Sequence, residues 1–283
     1  MSRIVYGAPL SPFVRKLRLC LQEKGLDYQL EIITPFGQPD WYRELNPLGR
    51  IPAFRDGDLT LADSSVICQY LEEQYPDSLR LFGQSPVQAA RIRWLEKYAD
   101  YELAPLCTFA VFRNRLLKPM LGQSCDEEAV QTALHDKLPR HFDYLEQTLG
   151  TADYFVNDSL SQADLAIYCQ LQNMAHGGEL PDEARWPGLA AHFRRIQARE
   201  SVQGVLPGEL KVVAKKPTDE TETPSAVEES TPVAAPEKPK ARLVEREHAS
   251  EGLLRSVMRQ GGGTATPEKK EEKKKPLISF AKV

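Results

Sequence analysis

The chain has 283 residues, of which 41% are hydrophobic and 27% are charged, and its formal net charge at pH 7 is -4. This composition is typical of a soluble protein with two ordinary domains. No run approaches the about 20 consecutive apolar residues that a membrane span needs, and the composition lacks the basic excess of a dedicated nucleic-acid-binding protein. We therefore expect a cytoplasmic protein that binds neither membranes nor nucleic acids. Five scattered cysteines without a C-x-x-C pair predict neither disulfides nor a metal site.

The first 78 residues alternate strand and helix patterns, which predicts an α/β domain. Proline suits the first turn of a helix and glycine suits the end of one, and an Asp-Gly pair between two short apolar runs indicates a hairpin. The predicted elements are a strand at residues 3–6, a helix from Pro12 to Gly25, a strand at residues 28–33, a hairpin at residues 53–61, and a helix from Ser64 to before Pro76. This order, βαβ followed by ββα, is that of a thioredoxin-like domain.

After a linker at residues 79–86, the pattern changes to long helices and predicts an all-α domain over residues 87–207. Asp126 begins one of these helices, because carboxylates are favoured at the positive end of the helix dipole. Ser161 and Asp164 form a capping-box pattern that begins another helix.

The composition changes again near residue 208. The 75 residues from 209 to 283 contain 28 charged residues, seven prolines and one aromatic residue. Such a segment cannot bury enough apolar surface to offset its conformational entropy, so we expect residues 208–283 to form a disordered tail. Residues 243–259 mix apolar and charged positions and are a candidate helix for binding a protein partner, although isolated helices of this length are marginal in water.

Ser11 carries the clearest chemical implication, because it lies where the first strand leads into the first helix. A helix N-terminus stabilises anions. Thioredoxin-like redox enzymes place a reactive cysteine here, whereas this chain has serine, and Val14 stands at the second cysteine position, which disfavours thiol–disulfide exchange. A serine hydroxyl can instead donate a hydrogen bond to a thiolate of another molecule and lower its pKa from about 8.5. A simple helix N-cap is the alternative.

Three separated motifs resemble those of the cytosolic glutathione transferases of the serine type, in a bacterial-like form with a long C-terminal extension. They are Ser11-Pro12-Phe13-Val14-Arg15-Lys16, then Asn46-Pro47-Leu48-Gly49-Arg50-Ile51-Pro52, then Asp63-Ser64-Ser65-Val66-Ile67. With the capping box and Trp186-Pro187-Gly188-Leu189, the resemblance covers about 208 residues. It implies glutathione as co-substrate, no metal, a homodimer, and detoxification by conjugating the glutathione thiolate, stabilised by Ser11, to a small electrophile.

The resemblance also implies roles for the residues that hold glutathione. Pro52 would follow a cis peptide bond, and the backbone of Ile51 would pair with the cysteinyl part of glutathione. Asp63 and Ser64 would receive the γ-glutamyl group, and Arg50 would lie near the glycyl carboxylate. Without the resemblance, Asp63 and Ser64 predict only a helix cap and Pro52 only a turn.

The electrophile is expected between the two domains, against the first long helix of the second domain. The candidate residues are Tyr101, Pro105, Phe109 and Phe112. An aromatic stripe at this spacing is equally compatible with a place in the core.

Three other functions remain open at this point. The same site could catalyse glutathione-dependent isomerisation or peroxide reduction. The protein could also be a non-enzymatic adaptor that uses its tail to bind a protein partner, or, less favoured, a thiol–disulfide oxidoreductase. Tyr6 in the first strand is an alternative to Ser11 as the hydrogen-bond donor, but Ser11 is preferred because it opens the helix.

Overall fold

A four-stranded sheet forms the framework of the first domain. The computed structural model describes residues 3–214. The strands are β1 (Arg3–Tyr6), β2 (Gln29–Glu31), β3 (Ala53–Asp56) and β4 (Leu59–Ala62), in the sheet order β2-β1-β3-β4. β1 is parallel to β2 and antiparallel to β3, and β3 forms a hairpin with β4. Three helices, α1 (Pro12–Glu23), α2 (Tyr42–Leu45) and α3 (Ser64–Gln74), complete this domain. The predicted thioredoxin-like order is confirmed.

The second domain is helical. α4 begins as Pro86–Tyr98, widens over Ala99–Leu117 and ends with Lys118–Met120, and α5 joins the segments Glu127–Thr132, Ala133–Lys137 and Leu138–Leu149. The remaining helices are α6 (Gln162–His176), α7 (Pro187–Gln197) and α8 (Glu200–Val213). In the wide part of α4 the backbone closes a larger turn, as shown by the bond from the Lys118 N–H to the Arg113 carbonyl, five residues back.

The predicted boundary near Pro207–Gly208 is wrong. α8 continues through both residues to Val213, and Glu209, beyond the predicted boundary, is fully buried. A proline inside a helix removes one backbone hydrogen bond, but the buried side chains on this face of α8 hold the helix together. The rest of the predicted tail, including the partner-binding candidate at residues 243–259, lies outside the described residues.

Local sequence signals fix the helix ends. Gly25 adopts a φ of +64°, which glycine tolerates best, and Asp126 caps α5 by accepting the Ala129 N–H at 3.0 Å. At the start of α6 the capping box is formed, with Asp164 accepting the Ser161 N–H at 2.8 Å. These three predictions from short patterns are confirmed.

Two hydrophobic clusters lie on opposite faces of the sheet. The larger one contains Val5 of β1 together with Val14 of α1, and it continues into the helical domain. The smaller one contains Ile4 and Tyr6, the neighbours of Val5 in β1. Successive residues of a strand point to opposite faces, so Tyr6 lies on the face away from α1.

Candidate functional site

Three chain segments meet at one edge of the sheet because of the strand register. Ala53, the first residue of β3, pairs with Tyr6 at the end of β1 and with Ala62 at the end of β4. The loop that follows β1 leads to Ser11, and Asp63 directly follows β4. The register therefore brings the Ser11 loop, the Ile51–Pro52 peptide before β3 and the Asp63–Ser64 turn to the same edge.

Ser11 is the N-cap of α1 and is half-buried. Its hydroxyl oxygen accepts a long hydrogen bond of 3.4 Å from the Val14 N–H. A hydroxyl has one proton to donate besides the lone pairs that accept, so this bond leaves the Ser11 proton available to a ligand. Gly7 makes the close packing of this loop possible, since a Cβ at position 7 would lie 2.4 Å from a Val14 methyl carbon.

The Ile51–Pro52 peptide bond is cis, as the resemblance implies. The carbonyl before it, that of Arg50, accepts hydrogen bonds from the Tyr42 hydroxyl at 2.9 Å and the Asn46 side-chain amide at 2.7 Å. Within the described part of the chain, the N–H and C=O of Ile51 have no hydrogen-bond partner. Ile51 can therefore pair with an extended ligand, while the Arg50 side chain is exposed at the rim.

Asp63 and Ser64 form the N-terminus of α3. Asp63 has a φ of +73°, and its carboxylate accepts the N–H groups of Ser65 at 2.9 Å and Val66 at 3.2 Å. A non-glycine residue in such a conformation costs about 1–3 kcal/mol and is typical of ligand-binding turns. Asp63 is exposed and Ser64 is buried. The helix-cap interpretation is thus correct for Asp63, and the turn still offers a carboxylate to a cationic ligand group.

Lys16 joins α1 to this turn through a buried charge network that the sequence did not predict. Its ammonium lies 3.0 Å from the Ser65 hydroxyl, 2.7 Å from an Asp100 oxygen and 3.0 Å from a Glu96 oxygen. The Lys16 side chain is 1% exposed. Burial lowers the pKa of Lys16, but Glu96 and Asp100 raise it more, so the net shift is upward and Lys16 is charged.

Tyr6 does not share the position of Ser11. Its side chain is 3% exposed and lies against Trp41, with ring centroids 5.9 Å apart. Burial, followed by the nearby Glu31 carboxylate, raises the pKa of Tyr6. Because Tyr6 faces away from α1, the hydroxyl at the helix N-terminus is that of Ser11.

The four candidate residues for the electrophile do not share one environment. Tyr101 is 66% exposed and Phe109 is 51% exposed, and Pro105 is also exposed. Phe112 is only 2% exposed, which favours the alternative place in the core over contact with a substrate. Tyr101, Pro105 and Phe109 follow one another at spacings of four and share one stripe of α4. Phe112 comes only three positions after Phe109, so in the wide turns of this helix it points away from that stripe.

Burial shields four of the five cysteines. Cys20, Cys68, Cys107 and Cys169 are buried, and Cys125 is exposed. Burial raises the pKa of Cys169 to about 12, whereas reactive cysteines have lowered pKa values.

Comparisons with known proteins identify the family of this chain. The N-terminal domain of glutathione S-transferases matches residues 5–79, and the C-terminal domain of the same family matches residues 112–206. Glutathione S-transferase 4 of Zea mays is 32% identical over 202 residues, which are 66% of this chain and 87% of the maize protein. The chain belongs to the glutathione S-transferase family.

Solved structures of this family of transferases share the fold. A glutathione S-transferase from Rhodospirillum rubrum F11 superimposes with a TM-score of 0.67 at 28% identity, covering 72% of this chain and 91% of that one. Glutathione S-transferase-I bound with lactoylglutathione gives a TM-score of 0.64 at 25% identity, covering 73% and 99%. The resemblance stated from the three motifs is confirmed.

Residues 3–214 contain neither a membrane-spanning helix nor a metal-binding cluster of side chains. None of the helices in this range is long and apolar enough to cross a membrane. The same range contains no group of three or more His, Cys, Asp or Glu side chains arranged to hold a metal ion.

Proposed function

We propose that the protein is a glutathione transferase in which Ser11 stabilises the thiolate of bound glutathione for attack on a small electrophile. The observation that carries the proposal is the position of the Ser11 hydroxyl at the N-terminus of α1, at the sheet edge shared with Ile51–Pro52 and Asp63–Ser64. A hydrogen bond from Ser11 and the helix dipole both favour the ionised thiol over the neutral one.

The reaction needs only the two substrates. The glutathione thiol releases its proton to solvent, and the thiolate sulfur attacks an electrophilic carbon. With an aryl halide, a carbon–sulfur bond forms, the carbon–halogen bond breaks, and halide leaves with the bonding electron pair. Ser11 acts by holding the sulfur anion and forms no covalent bond itself.

The binding roles follow from the chemistry of glutathione. Ile51, fixed by the Pro52 cis peptide, pairs its backbone with the cysteinyl unit. The Asp63 carboxylate accepts the γ-glutamyl ammonium, the hydroxyl and N–H of Ser64 receive the α-carboxylate at the N-terminus of α3, and Arg50 approaches the glycyl carboxylate from the rim.

The electrophile binds against the exposed stripe of α4 formed by Tyr101, Pro105 and Phe109. These apolar surfaces suit a small hydrophobic electrophile. We further propose a cytoplasmic homodimer with a role in detoxification, the usual setting of this family.

The test compares the intact protein with Ser11→Ala and with Ser85→Ala as a matched control. Ser85 also caps a helix that starts with proline, accepting the Gln88 N–H at 3.3 Å, but it lies at the start of α4. Calorimetry measures glutathione binding, ultraviolet absorbance against pH gives the pKa of the bound thiol, and an aryl halide gives the conjugation rate.

We expect the bound thiol to have a pKa well below the free value of about 8.5 in the intact protein and in Ser85→Ala. In Ser11→Ala the pKa should return toward that value and the rate should fall, with glutathione affinity little changed. Equal thiol pKa values in the two variants would refute the role of Ser11. Failure to bind millimolar glutathione would refute the enzyme function and favour the adaptor.

A further inference from the structure

A second buried charge network extends from α1 in a different direction from that of Lys16. Arg15 is 1% exposed, and its guanidinium donates to both carboxylate oxygens of Glu209 in α8, one of them at 2.8 Å. It also donates to the Cys169 carbonyl at 2.9 Å and the Asn173 side-chain oxygen at 2.8 Å, both in α6. One side chain therefore joins α1 to two helices of the second domain.

Glu209 is fully buried and has a second partner. The His176 imidazole lies 3.0 Å from Oε2 of Glu209, one of the two carboxylate oxygens that accept hydrogen bonds from Arg15. Burial raises the pKa of Glu209, but the Arg15 guanidinium and the His176 hydrogen bond lower it more, so the net shift is downward. The carboxylate is therefore ionised at neutral pH.

A buried network of charges adds little net stability to a fold. Removing an arginine and a carboxylate from water costs several kcal/mol per ion, and apolar residues of similar volume are often equally stable in their place. What a bidentate arginine–carboxylate pair adds is a fixed geometry. This favours a positional role for the pair.

The element that this pair fixes is the first turn of α1. The Arg15 N–H donates to the Ser11 carbonyl at 2.9 Å, and the Val14 N–H donates to the Ser11 hydroxyl. Ser11 has few other constraints, chiefly a bond from its N–H to the Ala8 carbonyl at 3.1 Å. A displacement of Arg15 would therefore move the Ser11 hydroxyl.

We propose that Arg15 and Glu209 are positioning residues, which hold the first turn of α1 so that the Ser11 hydroxyl meets the glutathione sulfur. This inference rests on the proposed function of Ser11. It assigns the last described helix, α8, a role in the thiolate site although α8 does not touch Ser11. Arg15 and Glu209 contact neither substrate, and they act through the backbone of α1.

The experiment replaces Glu209 by glutamine and by aspartate, with Glu200→Gln as the matched control. Glu209→Gln removes the charge at nearly constant shape, and Glu209→Asp keeps the charge but shortens the reach. Glu200 lies in the first turn of the same helix and is exposed. Hydrogen–deuterium exchange of the Val14 and Arg15 amides measures the first turn without any ligand. The thiol pKa of bound glutathione, kcat and KM measure its effect on the site.

We expect Glu209→Gln to accelerate exchange of the two amides by about tenfold or more, to raise the bound-thiol pKa toward that of free glutathione, and to lower kcat more than it raises KM. Glu209→Asp should give a smaller effect, and Glu200→Gln should give none. If Glu209→Gln only lowers the melting temperature while amide exchange and thiol pKa stay unchanged, the pair is merely structural and the inference is overturned.

Failure of the proposed function has a different signature. Ser11→Ala measured in the same series would then leave the thiol pKa unchanged. Exchange in the ligand-free Glu209 variants would still report whether the ion pair holds the first turn, and unchanged exchange would overturn that part as well.

Discussion

Replacing Lys16 by methionine should cost more stability than any exposed charge substitution in this protein. Lys16 is 1% exposed and lies within 3.0 Å of both a Glu96 and an Asp100 oxygen. Methionine fills a similar volume but leaves the two carboxylates buried without their cation. Breaking a buried ion pair from one side costs about 3–5 kcal/mol.

That free energy corresponds to a large shift in melting temperature. For a folded unit of 150–250 residues, 1 kcal/mol shifts the melting temperature by roughly 2–4 °C. The expected decrease for Lys16→Met is therefore roughly 6–20 °C at neutral pH. Denaturant unfolding should show a lower midpoint with an unchanged slope.

Lys97→Met is the matched control. Lys97 lies 4.0 Å from the same Asp100 carboxylate, but its side chain is 38% exposed. An exposed pair contributes about 0–1 kcal/mol, so this variant should melt close to the intact protein. The triple variant Lys16→Met/Glu96→Gln/Asp100→Asn also removes the two unpaired negative charges, so it should recover much of the lost stability. A Lys16→Met variant that melts within 2–4 °C of Lys97→Met, a loss of roughly 1 kcal/mol, would refute the reasoning.

Three further predictions test other parts of the structure. Phe112→Ala should destabilise the fold by about 3–5 kcal/mol, because it opens a cavity in the core. Phe109→Ala should leave the melting temperature nearly unchanged and should raise KM for the electrophile. Equal melting temperatures of the two variants would contradict the burial of Phe112. Asp164→Ala should cost several kcal/mol in denaturant unfolding, because it leaves the N–H groups of Ser161 and Phe155 without their acceptor at about 1–3 kcal/mol each. Burial, followed by the Arg140 charge, lowers the pKa of His141, so protonation favours the unfolded chain and the contribution of neutral His141 is lost as pH falls below about 6.5. The melting temperature should drop less between pH 7 and pH 5 in His141→Gln than in the intact protein.

Local patterns in the sequence were sufficient for several helix ends in both domains. Caps and turns depend on residues a few positions apart, so Pro12, Gly25 and the Ser161–Asp164 box could be placed from short motifs. The second strand was predicted at residues 28–33 and forms only Gln29–Glu31. Ends of edge strands depend on pairing with a neighbour, which a local pattern does not contain.

The sequence could not predict the partners of the buried charges. Glu209 lies 194 residues from Arg15 in the chain. Because Pro207 and Gly208 precede it and a charge-rich segment follows, the sequence predicts that Glu209 belongs to the tail. Arginine and lysine in a helix are most often exposed, so Arg15 and Lys16 were not recognised as core residues. Their burial depends on how other helices pack against α1: α6 and α8 surround Arg15, and α3 and α4 surround Lys16.

The two networks together suggest why Ser11 lies on this helix. Consecutive residues point about 100° apart around a helix, so Arg15 and Lys16 reach in two directions from the same turn. Lys16 binds Ser65 next to the Asp63–Ser64 turn, and Arg15 binds the second domain. The Ser11 hydroxyl and the Asp63–Ser64 turn are therefore both held by contacts with the same turn of α1. In the function that we propose, this shared support matters because the sulfur and the γ-glutamyl group belong to the same small molecule and must meet Ser11 and the Asp63–Ser64 turn together.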